Sequence, residues 1–386
     1  MKLMQKIFLL GILLLWTFLS RAHVAVDYPV GGEVFMPGTV VTISWHIVIP
    51  HDTQNWDVYY SEDGGSSWLP IQIDVPSNQL SLDWEVPAIG TQTARILVIM
   101  DNSGTDYQAA SGIFEISALP GNLVTKKLFI NRGSAQTTSG AEFPALAFNS
   151  SGTFNPTNEI LHFSKGDSLI LTVVNNDTTY HNLAIDGIQT SSTPIAPGDS
   201  VIFGFQLSSA GVYRYYDSYS QGNSYLGLSG IMLIEESPGK HFFWNLREHE
   251  IAKNISLANG GMVDFTEFQP DYFFINGKRF PEIQGDPLAA VQGLVGDTIN
   301  IFICNSGIMK HSIHFHGFHV KIKYSKKKPQ MVDLIKDTVP LLAGEVMELE
   351  LVPDKPGEYP VHDHNLVAIT GGGEYPNGML LIMSFE

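Results

Sequence analysis

The chain has 386 residues, 44% hydrophobic and 16% charged, with 36 glycines, 21 prolines and a formal charge of −17. Its length suits two or three domains with ordinary cores, and its composition excludes disorder, coiled coil and collagen. The acidic balance opposes a phosphate-binding surface, so no nucleic-acid partner is expected. A single cysteine, Cys304, excludes an intrachain disulfide and a cysteine-rich metal cluster. Six of the thirteen histidines fall between His311 and His364.

Residues 1–22 read as an export signal. Lys2 and Lys6 precede an apolar run from Ile7 to Leu19, and Ser20-Arg21-Ala22 is a small-x-small cleavage site. The run of about 13 residues is shorter than the ~20 needed to span a bilayer. No later segment has transmembrane length, so no membrane span is expected. Cleavage after Ala22 removes three positive charges and no negative one, taking the formal charge to −20. The expected localisation is secreted, periplasmic or cell-surface.

Residues 23–118 read as one β-sandwich of about seven short strands. Val40–Trp45 and Arg95–Met100 are β-branched and strand-like, and Asp63-Gly64-Gly65 is a hairpin signal. Tyr28–Glu33, Thr42–Trp45, Ser61–Ser66 and Trp84–Pro87 resemble the Ig-like modules of secreted bacterial surface proteins and of a yeast cell-wall family. Such signatures speak of folding and say little about chemistry.

The remainder holds two copies of one pattern. Gly166–Asn175 lines up with Gly296–Asn305, and a histidine follows each Asn by six residues, His181 and His311. Pro197-Gly198 precedes the strand Val201–Leu207, as Ala343-Gly344 precedes Met347–Val352 with its half-buried alternation. Gly211–Asp217 then matches Gly357–Asp363 without a gap. A repeat of this length means two homologous domains rather than a solenoid. We place them at 119–236 and 237–386, with the boundary in Glu235–Gly239.

The second copy carries Phe273–Lys278, His311–Gly317, Asp337-Thr338 and Pro356–His364. With these, the two copies resemble cupredoxin domains, and the last resembles the C-terminal domain of multicopper oxidases. The expected fold is therefore all-β: an N-terminal Ig-like sandwich followed by two cupredoxin-like Greek-key β-barrels. Alternation along a strand puts His314 and His316 on one face, and His362 and His364 on one face. If the two strands are neighbours, four imidazoles converge, a nitrogen set that suits copper, zinc, iron or nickel. The alternative is four surface histidines on unrelated strands. The resemblance implies copper as cofactor, with His314, His316, His362 and His364 as ligands.

The family builds a three-copper cluster from two such pairs in each of two domains. Here the first copy has Ala184, Asp186, Tyr216 and Ser218 at the matching positions, so a complete cluster within one chain is not expected. A homo-oligomer could complete the site. The resemblance also places the thiolate of a blue copper site at Asp363 and its second histidine at Ala368, so that site is absent. Cys304 and Met379 are read as packing, and Asp363 as a hydrogen-bonding partner of a neighbour. His311 stays open as a further ligand or an outer-shell partner, and His181 as a relic of the same kind. Cleavage after Ala22 would make His23 the N-terminus, where its amine and ring, joined by His51 or His46, could chelate a second copper. His162, His241 and His249 are read as isolated surface residues.

Three functions follow from this reading. The first is a secreted copper-dependent oxidoreductase with a type 2 or type 3-like histidine site, acting on dioxygen with a small reductant. The second is a copper carrier or storage protein of the cell envelope. The third is a structural or adhesive surface protein.

Overall fold

The computed structural model describes residues 23–87, 89–117, 121–137, 140, 142–189 and 193–386. The expected export signal, residues 1–22, lies outside these residues. Strands take up 50% of the structure and helix 7%, far from the roughly one-third helix of an average domain, so the protein is all-β. No helix among the described residues is long and apolar enough to cross a membrane. The chain divides into two units, Met1–Ala118 and Leu119–Glu386.

In the first unit, Val24–Tyr28, Val40–Ile47 and Ser81–Glu85 form a three-stranded sheet. A second sheet runs in the order Val34–Phe35, Phe114–Ile116, Thr91–Asn102, Thr53–Ser61, Leu69–Pro76. The period of two along Val40–Ile47 turns Val41, Ile43 and Trp45 inward. There they join Trp56, Trp84, Ile96 and Phe114 in one core.

The second unit contains the repeat as two similar halves. Residues 123–235 form two four-stranded sheets around a core that includes Leu128, Leu171, Val173 and Met232. Residues 240–385 form a six-stranded and a five-stranded sheet around Trp244, Phe273, Ile301, Phe315 and Leu381. Each fully buried side chain of this size contributes about 1.5–3 kcal/mol. In both halves a Gly-Asp turn opens the matching strand, with Gly166 at φ +95° and Gly296 at φ +89°, where a Cβ would be strained. The strand registers coincide: Leu123–Gln136 pairs in parallel with Ser168–Asn175, setting Ile130 beside Asn175. Lys240–His249 pairs in parallel with Ile299–Asn305, setting Leu246 beside Asn305.

The halves share a small apolar cluster of Val212, Ile231 and Leu233 with Phe243, Phe302, Cys304 and Val346. Cys304 is fully buried there, and burial raises its thiol pKa. Met379 is likewise buried in the core of the last half.

Candidate metal centre

Four histidines meet on one sheet of the last half. In the strand His311–Phe315 the odd residues His311, Ile313 and Phe315 are buried, and Ser312 and His314 face outward. In Gly357–Asp363 the inward residues are Val361 and Asp363, leaving His362 outside. The strands pair antiparallel with His314 directly opposite His362 and Ile313 opposite Asp363. The His316 amide donates to Pro360 O and the His364 amide to Ser312 O, continuing the ladder through both flanking histidines. His314 thus has its ring centroid 4.7 Å from that of His316, 5.7 Å from His362 and 5.5 Å from His364. His314 and His362 are half-buried, whereas His316 and His364 are exposed.

Neighbouring groups orient these rings. Thr338 Oγ1 lies 2.9 Å from His314 Nδ1, and the Asp363 carbonyl lies 2.7 Å from His362 Nδ1. With Nδ1 held this way, Nε2 of each ring is the nitrogen left to coordinate. His316 Nε2 lies 3.0 Å from His362 Nε2. Two nitrogens bound at ~2.0–2.1 Å at a right angle on one ion would be about 2.9 Å apart. The pair therefore fits a shared metal ion. Desolvation, then the neighbouring His314 and His362, lowers the pKa of His316 and favours the neutral ring that coordination requires.

On the inner face of the same strands the arrangement is of another kind. His311 Nδ1 lies 2.5 Å from Asp363 Oδ2, and its Nε2 lies 3.1 Å from Glu248 Oε2; all three side chains are fully buried. Both ring nitrogens are taken by carboxylates, so His311 belongs to an ion triad and offers no nitrogen to a metal. Burial alone would depress His311, but hydrogen bonds to Asp363 and Glu248 raise its pKa to about 9. The residues of this pocket do not fit a blue copper, having a carboxylate where that site needs a thiolate.

The first half repeats this triad by a different route. Ala184 stands opposite Tyr216, the same register as His314 opposite His362, so the outer ligands are replaced position by position. On its inner face His181 lies 2.6 Å from Asp217 and 2.8 Å from Asp177. Asn175 and Asn305 fold the loops that follow them alike, each donating its side-chain amide to a carbonyl four residues on. The second carboxylate, however, comes from a different backbone position in each half. By register Arg132 corresponds to Glu248, and Asp177 corresponds to Gly307. Arg132 clasps Asp177 through two bonds of 2.6 and 2.7 Å. In the last half a Cβ on Gly307 would meet the Glu248 carboxylate, which occupies that space instead. One test is to transplant the first arrangement. Gly307→Asp and Glu248→Arg should each destabilise, and the double variant should recover about 1–3 kcal/mol relative to additivity in denaturant unfolding. A strictly additive pair would dismiss the correspondence.

Sequence reasoning missed Glu248 and Asp177, and saw Thr338 only as part of the Asp337-Thr338 motif, without its role beside His314. The one available signal was that both copies carry Asp where the resemblance expects a thiolate. The reading of three histidines as isolated surface residues holds only for the exposure of His162. His249 is buried beside Asn254, and burial lowers its pKa to about 3. His241 and His162 converge on Glu235. His319 is exposed. In the first unit His23 Nδ1 lies 2.5 Å from His51 Nε2, with both rings against Tyr107. His46 instead pairs with Asp27.

Two cupredoxin-type halves, one with facing His-x-His strands, define a cupredoxin-like fold. Residues 252–373, about a third of the chain, match the multicopper oxidase family model. Among solved structures the chain is similar to a blue copper oxidase from Nitrosomonas europaea, with 23% identity and a TM-score of 0.60. That match covers 68% of this chain and 86% of the other. A copper nitrite reductase from Nitrosomonas europaea matches with 16% identity, coverage of 69% and 94%, and a TM-score of 0.55. A laccase from Botrytis aclada matches with 17% identity, coverage of 69% and 53%, and a TM-score of 0.53. At these identities the likeness concerns the fold. No curated protein sequence matches the chain.

Proposed function

We propose that the protein is an exported copper-dependent oxidoreductase whose copper is held by His314, His316, His362 and His364 as a non-blue centre. The observation that carries this reading is the 3.0 Å approach of His316 Nε2 to His362 Nε2, with Nδ1 of His314 and His362 engaged elsewhere. An all-imidazole set supplies a tetragonal, type 2-like Cu(II) centre able to cycle with Cu(I). Thr338 and the Asp363 carbonyl fix the rings, and the buried triad beneath holds the two strands in register. The exposed His316 and His364 leave the site open to a diffusing reductant, which must deliver electrons directly because no thiolate relay exists. Copper-loaded protein should show a type 2 electron paramagnetic resonance signal without an intense band near ~600 nm, and should consume oxygen with a phenolic reductant. An intense band in Cys304→Ser protein would overturn the ligand set.

The same openness favours a second reading, a copper carrier that exchanges metal without turnover. Stoichiometric copper with no oxygen uptake under any reductant would select it. A structural or adhesive role remains for a chain that binds no copper.

His23 and His51 support a further copper site that depends on cleavage after Ala22. Their nitrogens already meet at 2.5 Å, and a free terminal amine would add a third donor. Placing one extra residue before His23 should lower copper stoichiometry by one equivalent; unchanged stoichiometry would eliminate the chelate.

A further inference from the structure

The seam between the two cupredoxin halves gathers a second set of metal-binding groups, remote in sequence from the four histidines. His162 lies on the strand Leu161–Ser164, which pairs in parallel with Ser229–Glu235 and ends with Ser164 beside Glu235. Glu235 is the last residue of the first half's sheet, and His241 is the second residue of the first strand of the next half. The short connection through Ser237-Pro238-Gly239 folds back and brings all three together. Glu235 Oε2 lies 3.1 Å from His162 Nε2 and 3.4 Å from His241 Nδ1. One donor atom of each residue lies within 4.8 Å of the other two.

Three features separate this cluster from an ordinary ion pair. Glu235 Oε2 is buried and, despite both rings being close, receives a hydrogen bond from neither. A buried carboxylate oxygen without a donor is costly. The rings are also held in place from behind: His162 packs on Phe243, and His241 packs on Phe302, both in the apolar seam. Finally, Glu235 and His241 border a cavity of about 440 Å³, which leaves room for a water as a further ligand.

We propose that His162, Glu235 and His241 bind a divalent cation of the zinc class, clamping the first cupredoxin half to the second across their connection. Two imidazoles and one carboxylate with an open position are a donor set zinc accepts readily, whereas calcium and magnesium prefer oxygen alone. The site joins residues on both sides of the connection, so its occupancy should stiffen the pairing of the halves. This proposal is independent of the four-histidine reading.

The test uses the full chain with His314, His362, His23 and His51 all replaced by Ala, which removes both other candidate metal sites. Zn²⁺ alone is titrated in competition with a chromophoric chelator, and thermal unfolding is followed with and without Zn²⁺. The expected result is one retained equivalent of Zn²⁺ that raises the melting midpoint by roughly 5 °C or more at saturation. Adding His241→Ala should remove that equivalent and its stabilisation. Adding the near-isosteric Glu235→Gln, chosen to leave folding intact, should weaken binding at least tenfold. Circular dichroism confirms that each variant is folded. No retained equivalent in the parent, or one whose affinity is unchanged by Glu235→Gln and by His162→Ala with His241→Ala, overturns the proposal.

Discussion

Replacing His311 by Ala is expected to destabilise the second unit by about 3–5 kcal/mol, the cost of breaking a buried charged set by removing one partner. The imidazolium lies between Asp363 and Glu248, all fully buried, and its loss leaves two carboxylates facing each other without a cation. Glu248 would keep only the Ile308 and Met309 amides as donors. The melting midpoint should fall by roughly 10 °C, taking ~2–4 °C per kcal/mol for a unit of this size. A loss below ~1 kcal/mol would show that the triad carries no net charge coupling. The effect also has a pH signature. The folded pKa of His311, about 9, lies above its ordinary value of 6.5. Its contribution is therefore complete below pH ~6.5 and is lost as pH rises through 9. Glu248 is shifted downward, because hydrogen bonding to His311 and the loop amides outweighs its desolvation, so its contribution is lost only in acid. His181, raised by Asp177 and Asp217 against its burial, adds to the alkaline loss. Stability should consequently decline between pH 6.5 and 9, and this decline should flatten in the His311→Ala, His181→Ala double variant. A profile unchanged by both replacements would exclude the triads as its origin.

The second large effect is expected at the outer face. The His314→Ala, His362→Ala double variant should lose the copper of the last domain and any oxygen consumption, while remaining folded because neither ring is in the core. Outer partners of metal ligands alone are worth roughly 10–100-fold in affinity. Thr338→Val should fall in that range, and removing two direct ligands should exceed it. His319→Ala, an exposed neighbour on the same domain, should change nothing. Copper loading should also fall in acid, since an imidazole must be neutral to coordinate. Full occupancy in the double variant would move the centre elsewhere in the molecule. Because the zinc-class cluster and the His23–His51 pair use other residues, each variant reports on its own site.

The amino-acid sequence by itself determined the all-β class, the two-copy organisation of residues 119–386, and the pairs His314/His316 and His362/His364. These depend on local periodicity and on the repeat. A strand's period of two settles which residues share a face, whatever the strand packs against. Only the tertiary structure decided what the faces meet. Register placed His314 opposite His362, and one residue of slip would have turned every ring inward. Glu248 reaches His311 from a strand 63 residues away, filling the space that Gly307 leaves open, and no local pattern encodes that meeting. His162 and His241 looked isolated because they are 79 residues apart; the closing of one half against the other joined them. Such contacts arise from the packing of sheets, where the fit of side chains across the interior decides which distant groups become neighbours.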